Sequence, residues 1–184
     1  MIVKIQPPNP GVMAAIQYNE KKMDGVEGIR NHKDANMHGI EDGHVLVTRN
    51  VPDGKTLSGV IQENMLNSVK KRRSGQATKN FAFHMSINPS ETDRPLSDKD
   101  AVAFTDEIMK ALGYEHQPYR IYKHTDIERE HYHVVSCRVD ENGKKIKDNF
   151  ERLVLRQTLK RLTEKYGYSL VLSEDELEEK EKEE

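Results

Sequence analysis

The stretch from Tyr119 to Val139 leaves this chain little conformational choice. Two runs rich in aromatic and β-branched residues, Tyr119–Asp126 and His131–Val139, are separated only by Ile127-Glu128-Arg129-Glu130. Such runs favour strands. A four-residue connection turns the chain straight back, so the two strands pair antiparallel as a hairpin. Side chains alternate along a strand. His131 and His133 therefore project from one face, with Cα atoms about 6.5 Å apart, and the hairpin sets His124 beside them. Three imidazoles on one face make a three-nitrogen metal site that leaves coordination positions open for a substrate oxygen. Asp126 lies two residues past His124 and points the same way if the strand continues. It is placed to orient a ligand imidazole through its second nitrogen. Two histidines at i and i+2 are also the polar face of many ordinary strands. The third histidine at hairpin distance tips the reading towards metal.

The rest of the chain alternates strands and helices. Ile2–Gln6 reads as a short strand stopped by Pro7, Pro8, Pro10 and Gly11. Val12–Met23 reads as a helix with Val12, Ala15, Ile16 and Asn19 along one side. Asp24–Asp42 is polar and aperiodic, and His44–Thr48 forms a short strand. Leu57, Val60, Ile61, Met65, Leu66 and Val69 recur at helical spacing, giving a helix over Thr56–Arg73. Phe81, Phe83, Met85 and Ile87 then alternate with Ala82, His84, Ser86 and Asn88, a strand with one buried face ended by Pro89. Ser97-x-x-Asp100 is a capping-box signal for a helix through Leu112, closed by Gly113. Asn149–Tyr166 is a further helix, and Tyr168–Leu172 a candidate last strand.

Charge is unevenly placed. The 184 residues carry 29 Lys and Arg against 31 Asp and Glu. Glu174–Glu184 holds eight acids and two lysines, a net of −6, leaving residues 1–173 with 27 bases against 23 acids. The expected organisation is one domain over 1–172 and an acidic, solvated tail over 173–184. Lys70-Lys71-Arg72-Arg73 is the densest basic cluster. It suits either a helix C-terminus or nucleic-acid phosphate. A single cysteine, Cys137, excludes an internal disulfide and a four-cysteine zinc site. No apolar run is long enough to span a membrane, and Met1–Ile5 lacks the apolar stretch of a signal peptide. These features fit a soluble, cytoplasmic protein with no membrane insertion.

The sequence has no Gly-x-Ser-x-Gly, Walker-type loop or Gly-x-Gly-x-x-Gly. Candidate nucleophiles are therefore few. Cys137 on a strand is more simply a small core hydrophobe. Tyr119, Tyr122 and Tyr132 lie in the hairpin and either stack bases or pack. Tyr18 sits in a polar helical stretch, Gln17-Tyr18-Asn19-Glu20-Lys21-Lys22.

His124-Thr-Asp126-Ile-Glu-Arg-Glu-His131-Tyr-His133 resembles the metal motif of the relaxase (mobilization nuclease) family. These are the MobA-like HUH endonucleases, named for histidine-hydrophobe-histidine. Ile16-Gln17-Tyr18-Asn19-Glu20-Lys21-Lys22 resembles the segment carrying that family's nucleophilic tyrosine. His84-Met-Ser86-Ile-Asn88-Pro89 resembles its second motif, and Gln117-Pro118-Tyr119 and Val139-Asp140-x-x-Gly143-Lys144 match around the histidines. One departure stands out: many relatives carry Asn where this chain has Cys137.

The resemblance implies an α/β two-layer sandwich. Its central, mainly antiparallel five-stranded sheet, from residues 2–6, 44–48, 79–88, 118–126 and 130–139, is covered by helices, with Tyr168–Leu172 as substitute for the second strand. It implies a DNA relaxase that nicks single-stranded DNA at a transfer origin. Tyr18 attacks the phosphodiester, leaves a 5′-phosphotyrosine, and the ends can be rejoined. His124, His131 and His133 would hold a divalent ion, Mg²⁺ or Mn²⁺, with Zn²⁺ or Ni²⁺ as substitutes. Asp126 would be base or orienting group, Lys70, Lys71, Arg72 and Arg73 would meet DNA, and accessory mobilization and secretion-system proteins would be partners. Two rival functions stand beside it: a rolling-circle replication initiator with the same histidine and tyrosine chemistry, and a metal-dependent hydrolase acting through activated water.

Overall fold

The computed structural model describes residues 1–7, 11–23, 44–71, 73–75, 81–125 and 129–171. Alternating apolar residues produce the expected sheet. Its strands are β1 (Ile2–Ile5), β2 (His44–Arg49), β3 (Ala82–Asn88), β4 (Tyr119–His124) and β5 (His131–Cys137). They lie in the order β1-β3-β5-β4-β2, and every neighbouring pair is antiparallel. The histidine strand β5 is thus the centre of the sheet, with β3 and β4 on its flanks. Four helices are described: α1 (Gly11–Met23), α2 (Leu57–Lys71), α3 (Asp98–Ala111) and α4 (Glu151–Tyr166).

A central strand is apolar on both sides, because neither side reaches water. On one face Phe83, Met85, Ile87, Ile121, Tyr132 and Val134 pack with Phe104 and Ile108 of α3 and Leu155 and Leu159 of α4. On the other, Tyr122, Val135 and Cys137 pack with Val12, Ala15 and Ile16 of α1 and Leu57 and Ile61 of α2. Helices therefore cover both faces of the five-stranded sheet, which makes three layers where two were expected, because both faces of the central strands carry apolar side chains. The second face is only partly apolar. Towards one end of β5 the alternation passes from Cys137 and Val135 to His133 and His131, and packing gives way to polar chemistry.

Several ends differ from the sequence expectation. β3 starts at Ala82, β4 stops at His124 and β5 at Cys137. The Tyr168–Leu172 segment adds no strand over its described part, although Val171 N donates to Met1 O at 3.0 Å. The second strand is supplied by His44–Arg49, as first read. Ser97 does cap α3, its Oγ accepting from Asp100 N at 3.1 Å. The Asp24–Asp42 stretch and the acidic tail lie outside the described residues.

Helix α1 is held by buried charge as well as by apolar contact. Glu20 of α1 accepts from Ser58 N of α2 at 3.1 Å and also meets the Ser58 hydroxyl. Its carboxylate lies 3.7 Å from Arg120 of β4, both side chains being buried. A carboxylate at the first turn of α2 satisfies an end N–H and complements the helix dipole. One residue thus fixes α1 against α2 and the sheet.

The turn after β5 is seated on α2 without side-chain clearance. Gly143 has φ +74, and a Cβ there would come within 2.5 Å of the Asn67 carbonyl. Gly143→Ala is expected to lower unfolding stability by about 2–4 kcal/mol, combining left-handed strain with overpacking. Gly54, with φ +77 and nothing within 4 Å of the built Cβ, is the control. Its Ala variant should lose only about 1–2 kcal/mol. Urea denaturation of the two variants checks the difference. Equal losses would mean that the turn does not rest on α2.

Candidate metal centre

Pairing register assembles the histidines. His124 of β4 stands directly opposite His131 of β5, and Tyr122 opposite His133. Across the other edge of β5, Ser86 of β3 stands opposite His133. His124, His131 and His133 consequently share the α1/α2 face. Their ring centres form a nearly equilateral triangle with sides of 5.1, 5.2 and 5.2 Å. His124 is buried, and His131 and His133 are half-buried.

The triangle has the dimensions of a shared ion. A metal about 2.1 Å from each nitrogen would lie about 3.2 Å from each ring centre, and at tetrahedral angles the centres would be about 5.2 Å apart. In the ring orientations shown, no three described His, Cys, Asp or Glu side chains form a ready cage. The His124 and His131 rings are stacked at 28° rather than converging. Rotation about the Cβ–Cγ bond re-aims the nitrogens while leaving the ring centre almost in place, and that torsion is soft. The spacing fits the donor set, and the imidazole chemistry suits a divalent ion.

Sequence reasoning missed a fourth imidazole. His84 of β3, opposite Val135 and diagonal to His133, places Nε2 2.8 Å from His133 Nδ1. The motif containing it had been read only as a resemblance. The signal was present in the alternation, since His84 and Ser86 fall on the polar side of β3. Burial pushes the His84 pKa down to about 4. Burial, then the neighbouring imidazoles of His84, His124 and His131, push that of His133 down to about 3. Both rings are therefore neutral near pH 7, the form that offers a lone pair.

Tyr18 lies within α1, which packs on this same face, though its side chain is outside the described set. The adjoining Asn19 is buried, and its Oδ1 accepts from Tyr122 OH at 3.4 Å, two residues along β4 from His124. The other hairpin tyrosines are packing residues. Tyr119 and Tyr132 lie on the opposite face, in the α3/α4 core. Tyr119 donates to Asp106 Oδ1 at 2.6 Å. Burial raises the pKa of Tyr119 and Tyr122, and pushes that of Tyr132 up to about 12. Asp126 and Arg72 lie outside the described residues. Lys70, Lys71 and Arg73 are exposed at and just beyond the C-terminal end of α2, away from the histidines.

A family model described as relaxase, MobA/VirD2-like, nuclease domain matches residues 37–168. The matched span includes His84, His124, His131 and His133 and begins after α1, so Tyr18 lies outside it. No curated protein and no solved structure matches the chain. Among the described residues, no helix is long and apolar enough to cross a membrane.

Cys137 shares the histidine face but sits at its far end, fully buried among Val135, Ile61 and Leu57. Its Sγ lies 3.2 Å from Val139 O, and burial pushes the thiol up to about 11. The reactive species is the thiolate. Native Cys137 should therefore resist iodoacetamide at neutral pH and label only as fast as the chain unfolds. Rapid native labelling, followed by mass spectrometry, would contradict this packed, protonated thiol.

Proposed function

The chain belongs to the MobA/VirD2-like relaxase nuclease family, a family of DNA-nicking mobilization enzymes, and from that premise we propose a specific transesterase. It nicks single-stranded DNA at a transfer origin through Tyr18 and can rejoin the ends. The observation that carries this reading is the 5.1–5.2 Å triangle of His124, His131 and His133 on the sheet face that α1 also covers.

The residues divide the work. The Tyr18 hydroxyl oxygen forms a bond to phosphorus as the bond from phosphorus to the 3′ oxygen breaks. The products are a 5′-phosphotyrosine and a 3′-hydroxyl. The leaving oxygen takes up a proton, and the tyrosine gives one up. Because free tyrosine titrates near ~10, a proton acceptor is needed, and Asp126 is the proposed one. His124, His131 and His133 would hold a divalent cation, which when bound would supply Lewis-acid stabilisation of the charge developing on the phosphate. The phosphotyrosyl ester retains the bond energy of the diester, so attack by a 3′-hydroxyl reverses the step. That reversal separates this chemistry from hydrolysis by activated water, which leaves no adduct.

His84 is a positioning residue in this scheme. Its contact occupies His133 Nδ1 and leaves Nε2 as the nitrogen for the ion. A ligand imidazole held in this way keeps one tautomer and one orientation.

Two outcomes are expected. Tyr18→Phe should abolish cleavage and the denaturant-resistant protein–DNA adduct while leaving Mn²⁺ and oligonucleotide affinity unchanged. Mass spectrometry of the trapped wild-type adduct should find the nucleotide on Tyr18. Finding it on another tyrosine, or nicking by the Phe variant, would refute the nucleophile assignment. Separately, His84→Ala should weaken Mn²⁺ binding by about 10- to 100-fold. His84→Gln, whose carbonyl can accept in place of Nε2, should recover most of it. Calorimetric titrations on folded variants read both. Equal losses in Ala and Gln would leave His84 as packing.

A further inference from the structure

A second polar surface lies at the other end of β5. Cys137 lies six residue steps along β5 from His131, a length of about 20 Å, and the 140–149 loop follows Cys137. This loop rests on α2: Asn67 Nδ2 donates to Glu141 O at 2.9 Å, and Gly143 abuts the α2 backbone. The end of α2 then places exposed Lys70 and Lys71 beside a loop bearing exposed Lys144, Lys145 and Lys147. The two basic clusters, far apart in sequence, are neighbours in the fold.

Three acids of this region are engaged by the fold, and Glu141 is exposed. Glu151 makes a two-bond pair with buried Arg138 at 2.7 and 3.0 Å. Asp148 pairs with Lys145 at 2.8 Å and lies 3.8 Å from Arg138. Asp140 Oδ1 accepts from Asn142 N and Lys144 N, both at 2.9 Å. What faces outward is mixed but richer in cations: Lys70, Lys71, Lys144 and Lys147 are exposed with the exposed acid Glu141 among them, while Lys145 is paired with Asp148. A cleft of about 400 Å³ opens here between Gly113, the lysine loop and the first turn of α4.

Phe150 lies in the chain between two residues that line this cleft, Asn149 and Glu151. It precedes α4 as its N-cap, with φ 59 and ψ 22, and makes no side-chain cap bond. A bulky residue in the left-handed region is strained, and such strain collects at functional positions. Phe150 is also 76% exposed, and Leu153, one turn on, is 50% exposed. An aromatic ring held open near exposed lysines is an arrangement that binds single strands: lysines follow the phosphates and a base stacks on the ring. A duplex keeps its base faces covered and offers none to Phe150.

We propose that Phe150 and the lysines of the 140–149 loop, continuous with Lys70 and Lys71, form an accessory single-stranded nucleic-acid site distinct from the histidine centre. It extends the DNA-nicking reading by giving the substrate a second hold at a distance from the scissile phosphate.

Fluorescence anisotropy with a long labelled single-stranded oligonucleotide tests it. Phe150→Ala should weaken binding at least about fivefold, the low end for one base–aromatic stack, and Phe150→Trp should bind like wild type. Lys144→Ala and Lys147→Ala should each flatten the log–log salt slope by about 0.7. Phe150→Gly should raise the melting temperature, because glycine accepts this φ, while still losing affinity. All these variants should cleave a short oligonucleotide spanning only the scissile phosphate as wild type does. Failure of the wild-type protein itself to cleave that short oligonucleotide, with the Phe150→Ala loss of long-strand affinity still seen, would count against the nuclease reading and not against this site. Unchanged affinity in Phe150→Ala, or an equal loss on duplex DNA, would overturn the proposal and leave the surface to a protein partner.

Discussion

Everything at the candidate centre depends on the register of one hairpin. β4 and β5 pair so that His124 faces His131, and β5 pairs with β3 so that His84 lies diagonal to His133. A shift of one residue would send the imidazoles into the apolar α3/α4 core and bring Tyr132 and Val134 to the polar face. That outcome is prevented from both sides. Tyr132 and Val134 are fully buried in one core, and Tyr122, Val135 and Cys137 in the other. Because β5 is the central strand, the register is fixed by two hydrophobic cores. The polar groups have only to occupy the positions left to them.

The second constraint concerns α1. Its apolar face, Val12, Ala15 and Ile16, binds it to the sheet face that carries the histidines. Apolar packing is not directional, and it would permit the helix to slide. Glu20 supplies direction through Ser58 and Arg120. Taking carboxylate and guanidinium out of water is costly, and breaking such a pair by removing one partner costs more than the pair contributes. The arrangement resembles a locating pin more than a source of stability. It fixes a helix whose residue 18 is the proposed nucleophile, and ångström errors in such a position lower rates steeply.

The sheet was legible in the sequence because its signal is local. Period-two alternation in Phe83–Ile87 and a four-residue connection between Tyr119–Asp126 and His131–Val139 are enough to define β3, β4, β5 and the histidine triad. The α1 face at Val12, Ala15, Ile16 and Asn19 was legible for the same reason, since helical spacing is local too. Contacts between distant residues were not. Alternation puts His84 on the polar side of β3, but its meeting with His133, 49 positions on, is set by the pairing of β3 with β5. Nothing near Glu20 announces Arg120. The adjacency of Lys70 and Lys71 to the 140–149 loop depends on a glycine whose missing Cβ lets two backbones touch. Phe150 was read as part of a helix beginning at Asn149, whereas the helix begins at Glu151 and Phe150 takes a left-handed conformation outside it.

The central claim is that three imidazoles, already at the spacing a shared ion requires, hold a divalent cation at the histidine face. X-ray absorption spectroscopy of the Zn²⁺-loaded protein tests it most directly. The expected spectrum shows three imidazole nitrogens at about 2.0–2.1 Å, lost together when His124, His131 and His133 are all replaced by alanine. A coordination shell with fewer imidazoles, or a spectrum unchanged by the triple replacement, would place the ion elsewhere and contradict the assignment.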